Sequence, residues 1–169
     1  MDDQQLYQYA IWAMFAFALV TVGVLVFVTA PYGRHERAGW GPTLSNRTGW
    51  LLMESPPVLV FLGFYLCGDH AYEIVPLILL GLWQSHYVYR AWIFPLRMQT
   101  AGKRMPVLLV LLAVAFNTLN AYVNSRWISH FGSYDLSWLY DPRFIVGVLV
   151  FFTGMYINRQ SDNILLNLR

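Results

Sequence analysis

Long apolar segments alternate with short polar loops along the whole chain. A helix needs about 20 consecutive, mostly apolar residues to cross the hydrocarbon core of a bilayer. Segments near this length occupy residues 7–30, 50–66, 72–94, 105–123 and 144–157. The second and fifth are the shortest, so we expect these helices to extend into their polar flanks. The pattern predicts an all-α, polytopic transmembrane bundle with five helices in one domain over residues 1–169.

The charges around these segments predict an orientation. Asp2 and Asp3 precede the first segment, where a signal peptide would carry basic residues, so this segment is predicted to remain as a helix. Basic residues gather after the first, third and fifth segments, at Arg34, Arg37, Arg47, Arg97, Lys103, Arg104, Arg159 and Arg169. Because cytoplasmic loops carry the excess of Lys and Arg, the N-terminus is expected outside, with loops one, three and five in the cytoplasm.

Loop one, residues 31–49, is long for a connection within a bundle and is rich in glycine, proline and arginine. Such a loop is either disordered or wrapped around another part of the protein. Its segment Gly39-Trp40-Gly41 lacks a preceding strand and a third glycine, so it is not a dinucleotide-binding fingerprint.

Composition excludes several classes of protein. The chain is 57% hydrophobic and only 12% charged, which is typical of a protein whose solvent is lipid. Its net charge of +2 is small and its basic residues form no continuous patch, so nucleic acid is not an expected partner. Cys67 is the only cysteine, which leaves no intrachain disulfide, and the four histidines have no metal-ligand spacing, so we predict no metal site.

The segment WLLMESPPV, residues 50–58, places Glu54 and two prolines inside an apparent membrane helix. An ionised group in hydrocarbon costs several kcal/mol, so such a carboxylate usually faces a protein interior or a wet cavity. Pro56 and Pro57 free the carbonyls of Leu52 and Met53, which then need a partner. Glu54 is therefore a candidate functional residue.

Polar positions on several helices converge near the cytosolic boundary. If Trp50 marks that boundary, a rise of about 1.5 Å per residue places Glu54 roughly 6 Å deeper. The third helix ends near Phe94, which places Tyr87 roughly 10 Å deep, with Arg90 between it and the surface. Later helices add Asn120 and Asn124, which share a face with Phe116, and then Asn158, Asp162 and Arg169. We predict one cavity open to the cytosol.

Simpler interpretations exist for single residues. Glu54 and Arg90 are alternatively a structural ion pair between helices. Tyr87 and Trp83 fit an interfacial aromatic belt equally well. Asn120 is typical of a polar contact that joins membrane helices. None of these interpretations explains why so many polar groups gather at one membrane level.

Six blocks of the chain carry a resemblance: PYGRH at 31–35, WLLMESP at 50–56, LLGLWQSHYVYR at 79–90, AFNTLN at 115–120, DPRF at 141–144 and GMYINRQSDNILLNLR at 154–169. They resemble the steroid 5-alpha-reductases, membrane-embedded NADPH-dependent reductases also called 3-oxo-5-alpha-steroid 4-dehydrogenases. The similarity covers nearly the whole chain apart from the first helix, and the chain is identified as a bacterial-type member. The resemblance implies seven transmembrane helices, so we expect the five-helix chain to be C-terminally incomplete.

The resemblance also implies roles for individual residues. Glu54 and Tyr87 match a family pair that hydrogen-bonds the ketone oxygen of the substrate. Such donors stabilise negative charge on that oxygen as hydride adds to the far carbon of the enone, and Glu54 donates only when it is protonated. The implied substrate-binding residues are Tyr32, Trp50, Met53 and Phe116, and the implied NADPH-binding residues are Arg90, Asn120, Asn158, Asp162 and Arg169.

Two positions depart from the family pattern and bear on the substrate. Met53 stands where the family commonly has glutamine, and Leu112 stands where a steroid-reducing relative has arginine. The leading hypothesis is reduction of the C4–C5 double bond of a 3-oxo-Δ4 steroid or a similar lipid enone, by a protein surrounded by membrane lipid. The alternatives are a lipid or isoprenoid methyltransferase and a proton-coupled lipid binder or transporter. The membrane is either a bacterial inner membrane or the endoplasmic reticulum.

Overall fold

A computed structural model describes residues 2–32, 35–100 and 102–167. The α-helices are α1 (Asp3–Phe27), α2 (Asn46–Glu54), α3 (Pro56–Leu66), α4 (Ile74–Val88), α5 (Phe94–Arg97), α6 (Val107–Arg126) and α7 (Pro142–Asn167). π-Helical turns at Tyr89–Ile93 and Trp127–Phe131 continue α4 and α6, and a 3-10 helix spans Leu136–Tyr140. Two short strands, β1 (Thr43–Ser45) and β2 (Arg104–Pro106), pair in an antiparallel ribbon.

The fold class predicted from the apolar pattern is confirmed. Three helical stretches are long and apolar enough to cross a membrane, namely Asp3–Phe27, Asn46–Leu66 and Val107–Phe131. The third predicted segment is helical from Ile74 through Arg97, and the fifth lies within α7, which continues to Asn167. The division into five spans stays a prediction.

Pro56 and Pro57 follow the point where the second span divides into α2 and α3, and the backbone there stays helical. Ser55, between α2 and α3, keeps right-handed helical angles, with φ −73° and ψ −34°. Its hydroxyl donates to the carbonyl of Leu51 at 2.6 Å. The Met53 carbonyl accepts a hydrogen bond from Asn117 Nδ2 at 2.6 Å. The expectation that a carbonyl freed by proline finds a partner is thus confirmed at Met53.

Helix α6 lies at the centre of the bundle and packs against α1, α2 and α3. One buried cluster joins α3 to α6 through Phe61, Tyr65 and Ala121. A second cluster joins the start of α1 to the end of α6 through Tyr7 and Tyr122. Burial of these apolar side chains fixes how α6 is rotated about its axis, and that rotation decides where its polar side chains lie.

An ionic network holds the end of the bundle that is predicted to lie outside. Arg126, at the end of α6, is 6% exposed and forms an ion pair with Asp3. Its Nη1 also donates to the carbonyl of Cys67 at 3.1 Å. His130 lies 3.3 Å from the same Asp3 carboxylate and 3.0 Å from Asp69. The network ties the first turn of α1 to the end of α6.

The opposite end is closed by the strand ribbon and by loop one. Arg104 on β2 donates to the Thr43 carbonyl at 2.6 Å. The start of loop one packs on the bundle, since Pro31 is fully buried, whereas residues 35–39 are exposed. Arg37 Nη2 donates to the Thr29 carbonyl, just after α1, at 2.9 Å. The loop's Gly39 and Gly41 have φ of 94° and 78°, a region that favours glycine. The two glycines therefore let the loop adopt a backbone conformation that other residues rarely take.

The start of α7 is organised by one aspartate. Asp141 accepts hydrogen bonds from the Arg143 backbone at 2.8 Å and from its guanidinium at 2.9 and 2.7 Å. The hydrogen bonds from the Arg143 side chain lower the pKa of the Asp141 carboxyl to about 2. The carboxylate therefore stays ionised at neutral pH and caps the helix.

We expect Gly68→Ala to destabilise the bundle. An added Cβ at Gly68 would meet the backbone of Ser129, because the chain after α3 runs directly against the π-helical turn that follows α6. Overpacking of this kind costs about 1–3 kcal/mol. The measurement is the melting temperature by intrinsic fluorescence in detergent.

The matched control is Gly63→Ala in α3, where an added Cβ meets nothing within 4 Å. Its melting temperature should stay at or slightly above that of the unchanged protein, since alanine favours a helix. Equal losses for both variants would contradict the close approach at Gly68.

Candidate functional site

A cavity of about 330 Å³ lies at the end of the bundle closed by the strand ribbon. Ligand pockets in proteins commonly begin near 300 Å³, so this space can hold a small apolar molecule. Five residues singled out from the sequence line it together: Tyr32, Trp50, Met53, Glu54 and Arg90. The remaining lining residues are Ala30, Met105, Leu109, Ala113 and Asn117.

Glu54 and Arg90 form an ion pair on the wall of this cavity. Arg90 Nε approaches Glu54 Oε1 to 3.5 Å, and the two side chains are 24% and 14% exposed. The Arg90 guanidinium also lies over the Trp50 ring at 4.5 Å and over the Phe94 ring at 5.5 Å. Arg90 belongs to the π-helical turn Tyr89–Ile93, and such turns are frequent at functional sites. Glu54 and Arg90 are thus paired between helices, and both line the cavity.

Tyr87 packs inside the bundle, which disfavours the aromatic-belt interpretation. Its ring lies 4.6 Å from that of Trp83, which stacks on Phe61 at 4.4 Å. The Trp83 indole N–H donates to the carbonyl of Pro57 at 2.8 Å. These contacts hold Trp83 and Tyr87 against α3.

The Tyr87 hydroxyl lies close to the charged side chains of the site. It lies near the Asn120 side chain and is close enough to Glu54 and Arg90 to interact with their charges. Asn124 Nδ2 donates to the Asn120 backbone carbonyl at 2.8 Å and to Asn120 Oδ1 at 2.9 Å. The structure thus places Asn120 beside Tyr87, while the cofactor role implied for Asn120 stays a prediction.

Phe116 does not line the cavity that contains Glu54 and Arg90. Its ring packs on Phe17 of α1 at 5.6 Å, and Phe17 lines a second, almost wholly apolar cavity of about 550 Å³ between α1, α6 and loop one. Leu112 also lines this second cavity. The two cavities share Ala30 and Leu109 as lining residues. The implied contact of Phe116 with substrate stays a prediction.

The polar half of α7 lies near α4 and α5. Asp162 is 7% exposed and interacts electrostatically with Arg90, Arg97 and His86. Within the described residues its Oδ2 is buried without a hydrogen-bond partner. Asn158 is exposed on the same helix, and Arg169 falls outside the described residues. The structure therefore brings Asp162, among the implied cofactor residues of α7, towards Arg90.

Two further polar residues belong to this region. Asn117 lines the cavity and donates to Met53, and it lies on one face of α6 with Asn120 and Asn124. A polar residue within an apolar helix was the signal that could have identified Asn117. Arg97, interpreted from the sequence through loop charge alone, donates to Asn163 Oδ1 at 2.9 Å. Nothing in the spacing of residues along the sequence indicated the contact between Arg97 and Asn163.

The cavity combines apolar walls with a carboxyl group, a guanidinium and a nearby phenol. A phenol O–H and a protonated carboxyl are hydrogen-bond donors, whereas a guanidinium is a permanent positive charge. Such a set can stabilise negative charge that develops on an oxygen atom of an otherwise apolar molecule. Within the described residues no group of three or more His, Cys, Asp or Glu side chains could hold a metal ion.

Comparison with known proteins gives consistent matches. A family sequence model described as 3-oxo-5-alpha-steroid 4-dehydrogenase matches residues 103–169. The chain is 37% identical to steroid 5-alpha-reductase DET2 of Gossypium hirsutum, over 99% of the chain and 67% of that protein. It is 38% identical to steroid 5-alpha-reductase DET2 of Arabidopsis thaliana, over 99% of the chain and 66% of that protein.

An animal protein matches as well. The chain is 36% identical to 3-oxo-5-alpha-steroid 4-dehydrogenase 1 of Homo sapiens, over 93% of the chain and 63% of that protein. The chain therefore spans roughly two thirds of the length of these relatives. They come from plants and a mammal, and they give no support to the expectation of a bacterial-type member.

We expect Asn117→Leu to lower the melting temperature, because the Met53 carbonyl would lose its donor inside the bundle. An unsatisfied buried acceptor costs about 1–3 kcal/mol. Pro57→Ala supplies an N–H four residues after Met53, which can replace the lost donor. The loss caused by Asn117→Leu should therefore be smaller in the Pro57→Ala background, and an equal loss in both backgrounds would show that the carbonyl does not depend on Asn117.

Proposed function

The chain belongs to the steroid 5-alpha-reductase (3-oxo-5-alpha-steroid 4-dehydrogenase) family, and we propose that it reduces the C4–C5 double bond of a 3-oxo-Δ4 steroid or a similar flat lipid enone with NADPH. The observation that carries the proposal is the cavity in which Glu54 and Arg90 meet apolar walls beside the Tyr87 hydroxyl. The relatives with matching sequence are named as reductases or dehydrogenases of steroids.

Reduction of an enone requires a hydride at the β carbon, a hydrogen-bond donor at the ketone oxygen and a proton at the α carbon. NADPH, when bound, supplies a hydride to the β carbon of the enone. The electron pair of the double bond then moves towards the ketone oxygen, and a donor aimed at that oxygen stabilises the developing enolate. Tyr87 is a donor at any physiological pH, whereas Glu54 donates only in its protonated form. A proton added at the neighbouring α carbon completes the reduction.

Arg90 supports this arrangement from the cavity wall. Its guanidinium lies between the Glu54 carboxylate and the rings of Trp50 and Phe94. A cation over aromatic faces is held in place without a second carboxylate. Arg90 therefore positions Glu54 and adds positive potential where negative charge develops on the substrate.

The residues around α7 fit a nicotinamide dinucleotide. Asp162 Oδ2 is buried and unpartnered within the described residues, which suits an acceptor for a ribose hydroxyl. Arg97 and Arg159 lie nearby, with Arg159 packed over the Tyr89 ring at 4.7 Å, and guanidinium groups suit phosphates. We assign Asp162 and Asn158 to the ribose and phosphate portion and Arg90 to the nicotinamide side. The assignments of Asn120 and Arg169 rest on the resemblance.

The orientation proposed for the protein places this site in the cytosolic half of the membrane. The basic residues Arg97, Lys103 and Arg104 lie at the same end as the strand ribbon, and cytoplasmic loops are enriched in such residues. Arg126 and its ionic network occupy the other end of α6. A site that takes NADPH from the cytosol and a lipid from the bilayer needs this placement.

Tyr87→Phe and Glu54→Gln should each lower kcat for enone reduction, because the first removes the phenol donor and the second replaces the carboxyl proton by the far less acidic N–H of an amide. Loss of one such donor costs about 100-fold. The assay follows NADPH oxidation by the full-length protein in nanodiscs with progesterone or testosterone, and mass spectrometry should find a product two hydrogens heavier. Tyr72→Phe, whose ring is 79% exposed, is the matched control and should keep full activity. Unchanged kcat in both site variants would exclude the proposed donors.

Asp162→Asn should weaken NADPH binding about tenfold or more. A hydrogen bond to a charged acceptor is worth about 1.5–3 kcal/mol, and 1.4 kcal/mol corresponds to a factor of ten in Kd. The Kd is measured by quenching of tryptophan fluorescence in the absence of steroid. Asp69→Asn, at the other end of the bundle, should leave the Kd unchanged, and equal effects of the two variants would argue against a cofactor contact at Asp162.

A further inference from the structure

The methionine of β2 lines the cavity and also packs on a glycine of α2. We propose that Met105, seated against Gly49, sets the size of the cavity and thereby decides how large an enone the site accepts. Met105 is then a specificity-determining residue, and Gly49 is a positioning residue that acts through it. The proposal deepens the proposed function and rests on it, because it takes the enone as the molecule that fills the cavity.

The first step is the reason for a glycine at position 49. Gly49 lies inside α2, whereas the glycines with positive φ among the described residues are at loop positions. Glycine within a helix is less favourable than alanine, because it loses more conformational freedom on folding. A Cβ at Gly49 would meet Leu44 Cδ1 at 3.2 Å and Met105 Cγ at 2.9 Å, and it would come closer still to the Met105 sulfur. Glycine is therefore needed here for space.

The second step is that the backbone of Met105 is held in place. Met105 is the middle residue of β2 in the strand ribbon. At one end of the ribbon the Asn46 N–H donates to the Lys103 carbonyl at 3.0 Å. At the other end the Val107 N–H donates to the Pro42 carbonyl at 2.9 Å. These bonds tie the ribbon to the first residues of α2 and α6, so the side chain of Met105 yields more easily than its backbone.

The third step is the direction in which that side chain can move. Met105 is 2% exposed, and the open space beside it is the cavity that it lines. A methionine side chain is unbranched and adapts its shape readily. A methyl group added at Gly49 would therefore push the thioether into the cavity. The cavity holds about 330 Å³, close to the lower limit of about 300 Å³ for ligand pockets, so a small displacement matters.

Met105 lies away from the reacting end of the proposed substrate. Gly49, which it contacts, precedes Glu54 by five residues. This spacing is about 7.5 Å along a helix axis. With the ketone oxygen held at Glu54, Met105 meets the body of the substrate and not its reacting carbons. A change at Met105 should therefore alter KM more than kcat.

The test compares two enones with the same reacting group, in full-length protein in nanodiscs with NADPH. One is testosterone, and the other is a bicyclic enone that keeps only its first two rings. Gly49→Ala should raise KM for testosterone about tenfold, the effect of about one methylene group in an apolar pocket. KM for the bicyclic enone and kcat for both should stay nearly unchanged. An equal rise in KM for both enones would overturn the proposal.

Coupling between the two positions distinguishes this role from a general structural one. Gly49→Ala should have little further effect on KM once Met105→Ala is present, because alanine leaves no side chain to displace. Gly63→Ala, which adds the same methyl group to α3 where nothing lies within 4 Å, is the control and should leave KM unchanged. A rise in KM that persists in the Met105→Ala background would overturn the proposal.

A second variant keeps the test valid if Gly49→Ala lowers the melting temperature. Met105→Ala requires no new space at Gly49 and enlarges the cavity. It should raise kcat/KM for progesterone relative to testosterone, because progesterone is the larger molecule. An unchanged ratio would contradict the role of Met105.

Binding without NADPH separates this proposal from the proposed function. Trp50 lines the cavity, so quenching of tryptophan fluorescence reports the Kd of each enone. We expect Gly49→Ala to raise the Kd of testosterone about tenfold and to spare that of the bicyclic enone. This shift without any reduction would overturn the reductase proposal but not the role of Met105. Reduction with Kd and KM unchanged in Gly49→Ala would overturn the role of Met105 alone, and binding of neither enone would overturn both.

Discussion

The ion pair between Glu54 and Arg90 is the constraint on which the cavity depends. A carboxylate inside a membrane bundle needs a partner, and removing one member of such a pair leaves the other uncompensated at high cost. Arg90 meets this need from a π-helical turn, with its guanidinium held over the rings of Trp50 and Phe94. The requirement brings α2 and the π-helical turn after α4 together, and the cavity lies between them, the start of loop one, β2 and α6.

The polar face of α6 connects this pair to the rest of the site. Asn117 supplies the donor that the Met53 carbonyl lost to Pro57, so the proline break next to Glu54 is stable. Asn120 lies near Tyr87, and Asn124 Nδ2 donates to Asn120 Oδ1 at 2.9 Å. Hydrogen bonds in a low-dielectric interior are strong and directional. One face of one helix therefore links the helix break, the tyrosine and the carboxylate.

Different contacts hold the helices together at the two ends of the bundle. The pairing of Asp3 with Arg126 anchors the start of α1 to the end of α6. At the other end, pairing of Thr43 with Pro106 joins loop one to β2, and buried Pro31 leads to Tyr32 on the cavity wall. Tyr32 of loop one thus lines the cavity, whereas the loop's composition left open whether it is disordered or wrapped around another part of the protein.

The apolar pattern determined the all-α membrane fold, because burying about 20 apolar residues in lipid requires a helix whatever its neighbours are. The sequence also indicated Glu54, Arg90 and Tyr87, since polar groups at membrane depth are costly and need a reason, and its motifs led to the family. It left undecided that Asn117 pairs with Met53 and that Phe116 packs on Phe17. Those contacts join residues on different helices, so they depend on the rotation of each helix about its axis. Only packing of side chains such as Phe61, Tyr65 and Ala121 in the folded bundle sets that rotation.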